Sequence, residues 1–143
     1  IVFISKIEVE KIPLVRTWMN LLHCVFMDRS NIRKSGEAII KGIKNLKAGH
    51  SIVIFPEGTR SKGGPIKEFK AGSFKLATKS KCPIIPVTMD GSFKIMEHGK
   101  GPWIKPATVN LYFHPAIETA NLTKEEQDLL PKTVQSIIAS KIS

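Results

Sequence analysis

An α/β fold, with a mixed and largely parallel sheet covered by helices, is what the apolar pattern of this chain predicts. Short β-like runs alternate with longer stretches of helical spacing along most of the 143 residues, the order expected of strands and covering helices. Several runs are continuous enough to suit strands buried on both faces, as parallel strands usually are. No repeat, low-complexity tract or flexible linker interrupts the alternation.

The first strand is expected at Ile1 to Ser5. After it, Leu14, Val15, Trp18, Met19, Leu21 and Leu22 form an apolar run with Arg16 at its edge. The run reads as a core helix or, because Trp18 suits a membrane boundary, as an interfacial surface. Cys24 to Asp28 is the second strand. Ser30 or Asn31 can then cap a helix in which Ile32, Gly36, Ile39, Ile43 and Leu46 recur at helical spacing, and Gly49 suits its end. Its Arg33, Lys34, Lys41, Lys44 and Lys47 lie largely off the apolar stripe, as a solvated face does. Three further strands are expected at Ser51 to Phe55, Pro83 to Met89 and Thr108 to Phe113. Near the end, Thr123 and Glu126 make a capping box, and Pro131 is expected to kink the following helix or restart it before Val134, Ile137 and Ile138.

The size and the 42% hydrophobic and 24% charged content fit one ordinary domain with one core. Nothing reaches the roughly 18 consecutive apolar residues of a membrane-spanning helix, so the chain reads as soluble or membrane-peripheral. It opens on an apolar strand without Met, which suggests sequence upstream. Cys24 and Cys82 stand in apolar settings with no metal-ligand spacing, so two buried thiols in a reducing compartment are expected, and no metal. Lys and Arg number 22 against 12 Asp and Glu, a formal net charge of +10. An anionic partner follows: nucleic acid, an anionic membrane or a phosphorylated substrate.

The stretch Ser51-Ile52-Val53-Ile54-Phe55-Pro56-Glu57-Gly58-Thr59-Arg60-Ser61 runs a strand directly into a polar turn. Pro56 cannot extend a ladder and Gly58 permits close backbone approach. Glu57, Thr59, Arg60 and Ser61 are left at the strand's carboxyl end, where ligands bind in open α/β sheets. Arg60 offers a planar fork for phosphate oxygens, and Thr59, Ser61 and backbone amides can add neutral donors. Glu57 cannot approach a phosphate favourably. It can orient Arg60, brace the turn's amides or accept a substrate hydroxyl. The bland alternative is a strand-ending turn with a surface ion pair.

Phe55 to Ser61, Phe-Pro-Glu-Gly-Thr-Arg-Ser, resembles the most recognisable motif of the glycerol-3-phosphate and lysophosphatidic acid acyltransferase family. Typical residue frequencies give Phe55 to Arg60 by chance on the order of once in a few hundred thousand chains of this length. Upstream, Lys6-Ile7-Glu8, Ile12-Pro13 and Met27-Asp28-Arg29 resemble the family's second block, with Val9 where Leu is usual. Downstream, Phe69-Lys70-Ala71-Gly72-Ser73 and Ile85-Pro86-Val87 resemble the helix start and fourth block that follow. The resemblance covers roughly residues 1 to 93. It implies transfer of a fatty acyl group from coenzyme A or acyl-carrier protein to a free hydroxyl of a glycerol phosphate lipid, by default lysophosphatidic acid, without metal or redox cofactor. It also implies that Glu57, Gly58, Thr59 and Arg60 hold the acceptor's phosphoglycerol end, with Arg29 and Lys6 as further cationic contributors. For Lys6 the bland reading is a solvated side chain, and for Arg29 an ion pair at a strand end.

An alcohol must lose its proton as it attacks a thioester carbonyl, so the chemistry needs a base. In the family a His-x-x-x-x-Asp motif supplies it, preceding the Lys-x-Glu block by more than the five residues that stand before Lys6 here. The resemblance thus implies an acyltransferase domain over residues 1–143 that lacks this segment and has little or no activity alone. His23-Cys24-Val25-Phe26-Met27-Asp28 matches the spacing, but its Asp28 already aligns with the second block. Residues five apart on a strand face opposite sides and lie roughly 17 Å apart, too far for Asp28 to orient His23. His50, His98 and His114 read as surface or capping residues.

An acceptor with one acyl chain lives in a bilayer, so the enzyme is expected at a membrane, on its cytoplasmic face. Lys62, Lys67, Lys70 and Lys75 can draw it to anionic head groups. The Leu14 to Leu22 surface could also line an acyl chain. A non-catalytic module binding anionic lipid or phosphate is the alternative; it would keep Arg60 and need no base. Nucleic acid has only the charge in its favour, without an aromatic-basic motif.

Overall fold

The computed structural model describes residues 1–28, 31–96 and 104–142. These divide into two compact units, Ile1–Phe55 with Lys75–Cys82, and Pro56–Phe74 with Pro83–Ser143.

In the first unit, β1 (Val2–Lys6), β2 (Val25–Met27) and β3 (Ile52–Val53) form a parallel sheet in the order β2-β1-β3. Ile4 pairs with Val25 on one side and Val2 with Ile52 on the other. Helix α1 (Pro13–Leu21) follows a 3-10 turn at Ile7–Lys11, and Pro13 suits the first helical turn, where its missing N–H is no loss. Helix α2 (Ile32–Lys47) starts at Asn31, whose side chain accepts from the Lys34 amide at 3.1 Å. Ala38, Ile39, Ile43 and Leu46 of α2 pack with Ile4, Val25 and Leu76, the last on α3 (Lys75–Ser80). Gly42 lets this contact close: a Cβ there would stand 2.6 Å from a Leu76 methyl carbon. Gly36, expected in the stripe, has open space where a Cβ would be.

In the second unit, β4 (Val87–Asp90) and β5 (Asn110–Phe113) pair antiparallel, Val87 opposite Phe113 and Asp90 opposite Asn110, which makes the fold mixed. A short helix α4 (Phe93–Met96) follows β4, and α5 (Lys124–Ala139) closes the chain. The capping box forms as read: the Thr123 hydroxyl accepts from the Glu126 amide and the Glu126 carboxylate from the Thr123 amide at 2.7 Å. Helix α5 runs through Pro131 without restarting; Pro131 is buried beside Leu130 and Val134, which pack with Phe69 and Phe74. Two hydrophobic clusters thus exist where composition asks for one.

Several expectations are corrected. Strands β2 to β5 are shorter than their apolar runs, and Phe55 stands exposed beyond β3. Burial on both faces fails: β1 buries Val2 and Ile4 but exposes Phe3, and every residue of β5 is exposed. In β4 the pattern is inverted, with Thr88 and Asp90 buried and Val87 and Met89 exposed. The Thr88 hydroxyl donates to the Ile138 carbonyl at 2.9 Å and sits 2.8 Å from His114 Nε2. Since that hydroxyl proton goes to Ile138, the oxygen accepts from the ring, which makes His114 an interior partner and not a capping residue. Cys24 is buried, but Cys82 is only half-buried.

Candidate functional site

The polar stretch that follows β3 folds into a loop closed on itself. Its neck is the hydrogen bond from the Lys70 amide to the Pro56 carbonyl at 3.0 Å. Just inside, Glu57 Oε2 accepts from the Lys67 amide at 3.2 Å, and Gln135 of α5 donates to the Lys67 carbonyl at 3.3 Å. Phe69, buried in the second cluster, holds the returning strand of the loop in place. Loops with joined ends and internal packing are compact Ω-loops, which frequently carry function.

Gly58 turns the chain after Glu57 with φ +69°, a left-handed conformation that costs other residues about 1–2 kcal/mol. The chain then presents Thr59 and Arg60, both exposed, at the loop's outer part. Ser61 Oγ accepts from the Gly63 amide at 3.3 Å, which shapes the next turn. The result is a guanidinium and hydroxyls held out on a rigid frame whose acidic member is turned to a backbone amide. That arrangement can grip a phosphate: Arg60 supplies charge and a fork of donors, while Glu57 is occupied with the loop and does not compete for the anion's place. Of the three roles open to Glu57, bracing the turn is the one its geometry serves.

The remaining sequence candidates lie in the first unit or outside the description. Lys6 ends β1 and is exposed. Arg29 lies outside the described residues, as does His98. Asp28 follows β2, and its carboxylate meets Lys34 Nζ at 3.8 Å. The Asp28 carbonyl accepts from the Ser35 hydroxyl at 2.6 Å, so Asp28 is tied to the start of α2. His23 precedes β2 and is not extended: its φ of +56° ends the turn after α1, with its amide donating to the Asn20 carbonyl at 3.0 Å. Its ring stacks on His50 at 5.7 Å. His23 and Asp28 therefore stand at opposite ends of β2, each with partners of its own. Among the described residues, no group of three or more His, Cys, Asp or Glu can hold a metal ion.

Sequence reading missed the far members of the loop. The Lys67 amide and Gln135 carry no motif signal of their own. Phe69 enters that reading only as the first residue of the string resembling the family's helix start.

A parallel three-stranded sheet, a helix crossing over it and a braced cationic loop in the chain after the third strand define an α/β protein. The crystal structure of the 1-acyl-sn-glycerophosphate (LPA) acyltransferase of Thermotoga maritima matches it with a TM-score of 0.80 and 31% identity, over 97% of this chain and 54% of that one. The 1-acyl-sn-glycerol-3-phosphate acyltransferases of Borreliella burgdorferi and, as a probable one, Mycoplasma genitalium are each 32% identical, over 99% and 96% of this chain. The chain spans 56% and 53% of their lengths. The acyltransferase family profile matches residues 1–90, and the chain belongs to that family.

Proposed function

We propose that this chain is the acceptor-binding part of a 1-acylglycerol-3-phosphate acyltransferase, which makes phosphatidic acid for phospholipid biosynthesis. The free hydroxyl of lysophosphatidic acid attacks the carbonyl carbon of an acyl thioester of coenzyme A or acyl-carrier protein. The new C–O ester bond forms as the C–S bond breaks, and the hydroxyl proton leaves with the thiol. Acyl thioester and lysolipid are the two substrates, and the chemistry requires no metal or redox cofactor. Because the acceptor is a bilayer lipid, the enzyme works at a membrane surface, on the cytoplasmic side. Among the described residues, no helix is long and apolar enough to cross a membrane.

The observation that carries the reading is the loop itself. Glu57 is spent on the Lys67 amide, so it does not compete for an anion that meets the exposed Arg60 fork on the closed loop. A phosphomonoester is the acceptor group that uses such a fork best. Names of the similar proteins support the same substrate class.

An acyl-transfer assay with lysophosphatidate and a long-chain acyl-CoA on the full-length protein tests it. Arg60→Ala is expected to lower kcat/KM for the acceptor by about 10- to 100-fold, the worth of a charged hydrogen-bonded contact of about 1.5–3 kcal/mol. Unchanged turnover in that variant would contradict the reading. A wild-type protein that binds lysophosphatidate and transfers nothing would favour a non-catalytic lipid-binding module.

A further inference from the structure

Helix α1 is amphipathic but buries neither of its faces. At about 100° per residue, Leu14, Val15, Trp18, Leu21 and Leu22 fall in one arc, away from Arg16, Thr17 and Asn20. In a packed domain the apolar arc is the buried one. Here none of the helix is buried: Leu14 is 78% exposed, and Trp18 and Leu21 are 67% exposed. Arg16, Thr17 and Asn20, together with Leu21, Glu10 and His23, line a shallow cavity in the protein surface. The helix is nonetheless anchored. The Cys24 amide donates to the Met19 carbonyl at 2.8 Å, and Asn45 of α2 donates to the His23 carbonyl at 3.0 Å.

We infer that α1 is an interfacial helix that lies on an anionic lipid surface with Trp18 at head-group level. Size argues against a protein occupant. A nine-residue helix is about 14 Å long and offers a few hundred Å² at most, against the roughly 800 Å² per partner of a stable protein interface. A bilayer sets no such minimum, because apolar side chains enter it singly. Charge argues for anionic lipid. By sequence, the first unit holds 12 Lys and Arg against 4 Asp and Glu, so it carries eight of the chain's ten net positive charges. Next to α1 along the chain, Lys6 and Lys11 are opposed by Glu8 and Glu10, so the attraction comes from the whole unit and not from this segment. This inference rests on the proposed function, in which the acceptor is drawn from a membrane.

The test uses the 143-residue chain carrying Trp103→Phe, so that Trp18 is its single tryptophan. With vesicles of phosphatidylcholine and phosphatidylglycerol, Trp18 emission should shift to the blue and be quenched by lipids brominated near the head group. Vesicles of phosphatidylcholine alone should give a weaker response. Leu14→Ser with Leu21→Ser should weaken partitioning roughly tenfold and leave the thermal unfolding midpoint in place, since both side chains are exposed. Sedimentation with vesicles while Trp18 emission stays unmoved, or partitioning unaffected by the double variant, would overturn the inference. So would self-association without lipid that the double variant abolishes, since a second copy would then be the occupant. A parallel titration with sn-glycerol 3-phosphate, without vesicles, separates the two readings. If that binding persists and depends on Arg60 while Trp18 stays in water, the helix inference fails alone. Trp18 immersed without such binding supports the helix and sinks the acceptor site.

Discussion

Helices α1 and α2 are written in the same amphipathic pattern and used in opposite ways. Each joins two parallel strands of the first unit. Helix α2 leads from β2 to β3, which lie on either side of β1, so it must pass across the sheet and lays its apolar stripe on Ile4 and Val25. Helix α1, the connection between the parallel neighbours β1 and β2, makes no such packing and leaves its apolar arc uncovered. Periodicity therefore establishes that a helix has two faces, while the packing around it decides which face is covered.

Substitutions can break or sharpen that contrast. The largest effect is expected from Gly42→Leu. Its side chain would drive into Leu76, which is 4% exposed, and overpacking should lower the unfolding free energy by about 1–3 kcal/mol in urea titrations. Next, Asn31→Ala removes the side-chain acceptor at the start of α2 and should lower stability by about 1 kcal/mol. Leu21→Ala on α1 should change stability by less than about 0.5 kcal/mol, as exposed substitutions do. A loss on α1 as large as that from Gly42→Leu would mean that α1 is packed after all, and the contrast would collapse.

The sequence made the order of elements legible because local chemistry dictates it. Asn31 and Thr123 cap their helices with their own side chains, and the five apolar runs each overlap a strand. What it hid depends on partners distant along the chain. Thr88 is buried and Met89 exposed because the Thr88 hydroxyl finds His114 and Ile138, 26 and 50 residues away. The string Phe55 to Ser61 made the candidate loop visible. Its frame was not, because Glu57 is answered by a backbone amide, which any residue at position 67 other than proline would provide. His23 misleads for a related reason. The spacing to Asp28 is a property of the string, whereas the left-handed turn that sets the ring against His50 comes from how α1 ends. His23→Ala is accordingly expected to leave acyl transfer by the full-length protein within about twofold, a difference of under about 0.5 kcal/mol.

The central claim is that the braced loop grips the acceptor's phosphate through Arg60, and binding measured apart from chemistry tests it most directly. A calorimetric titration of the full-length protein with a short-chain, water-soluble lysophosphatidate should give a Kd that rises about 10- to 100-fold in Arg60→Ala. It should rise by less in Glu57→Gln, which keeps an acceptor for the Lys67 amide. Equal affinities in the wild type and Arg60→Ala would contradict the account.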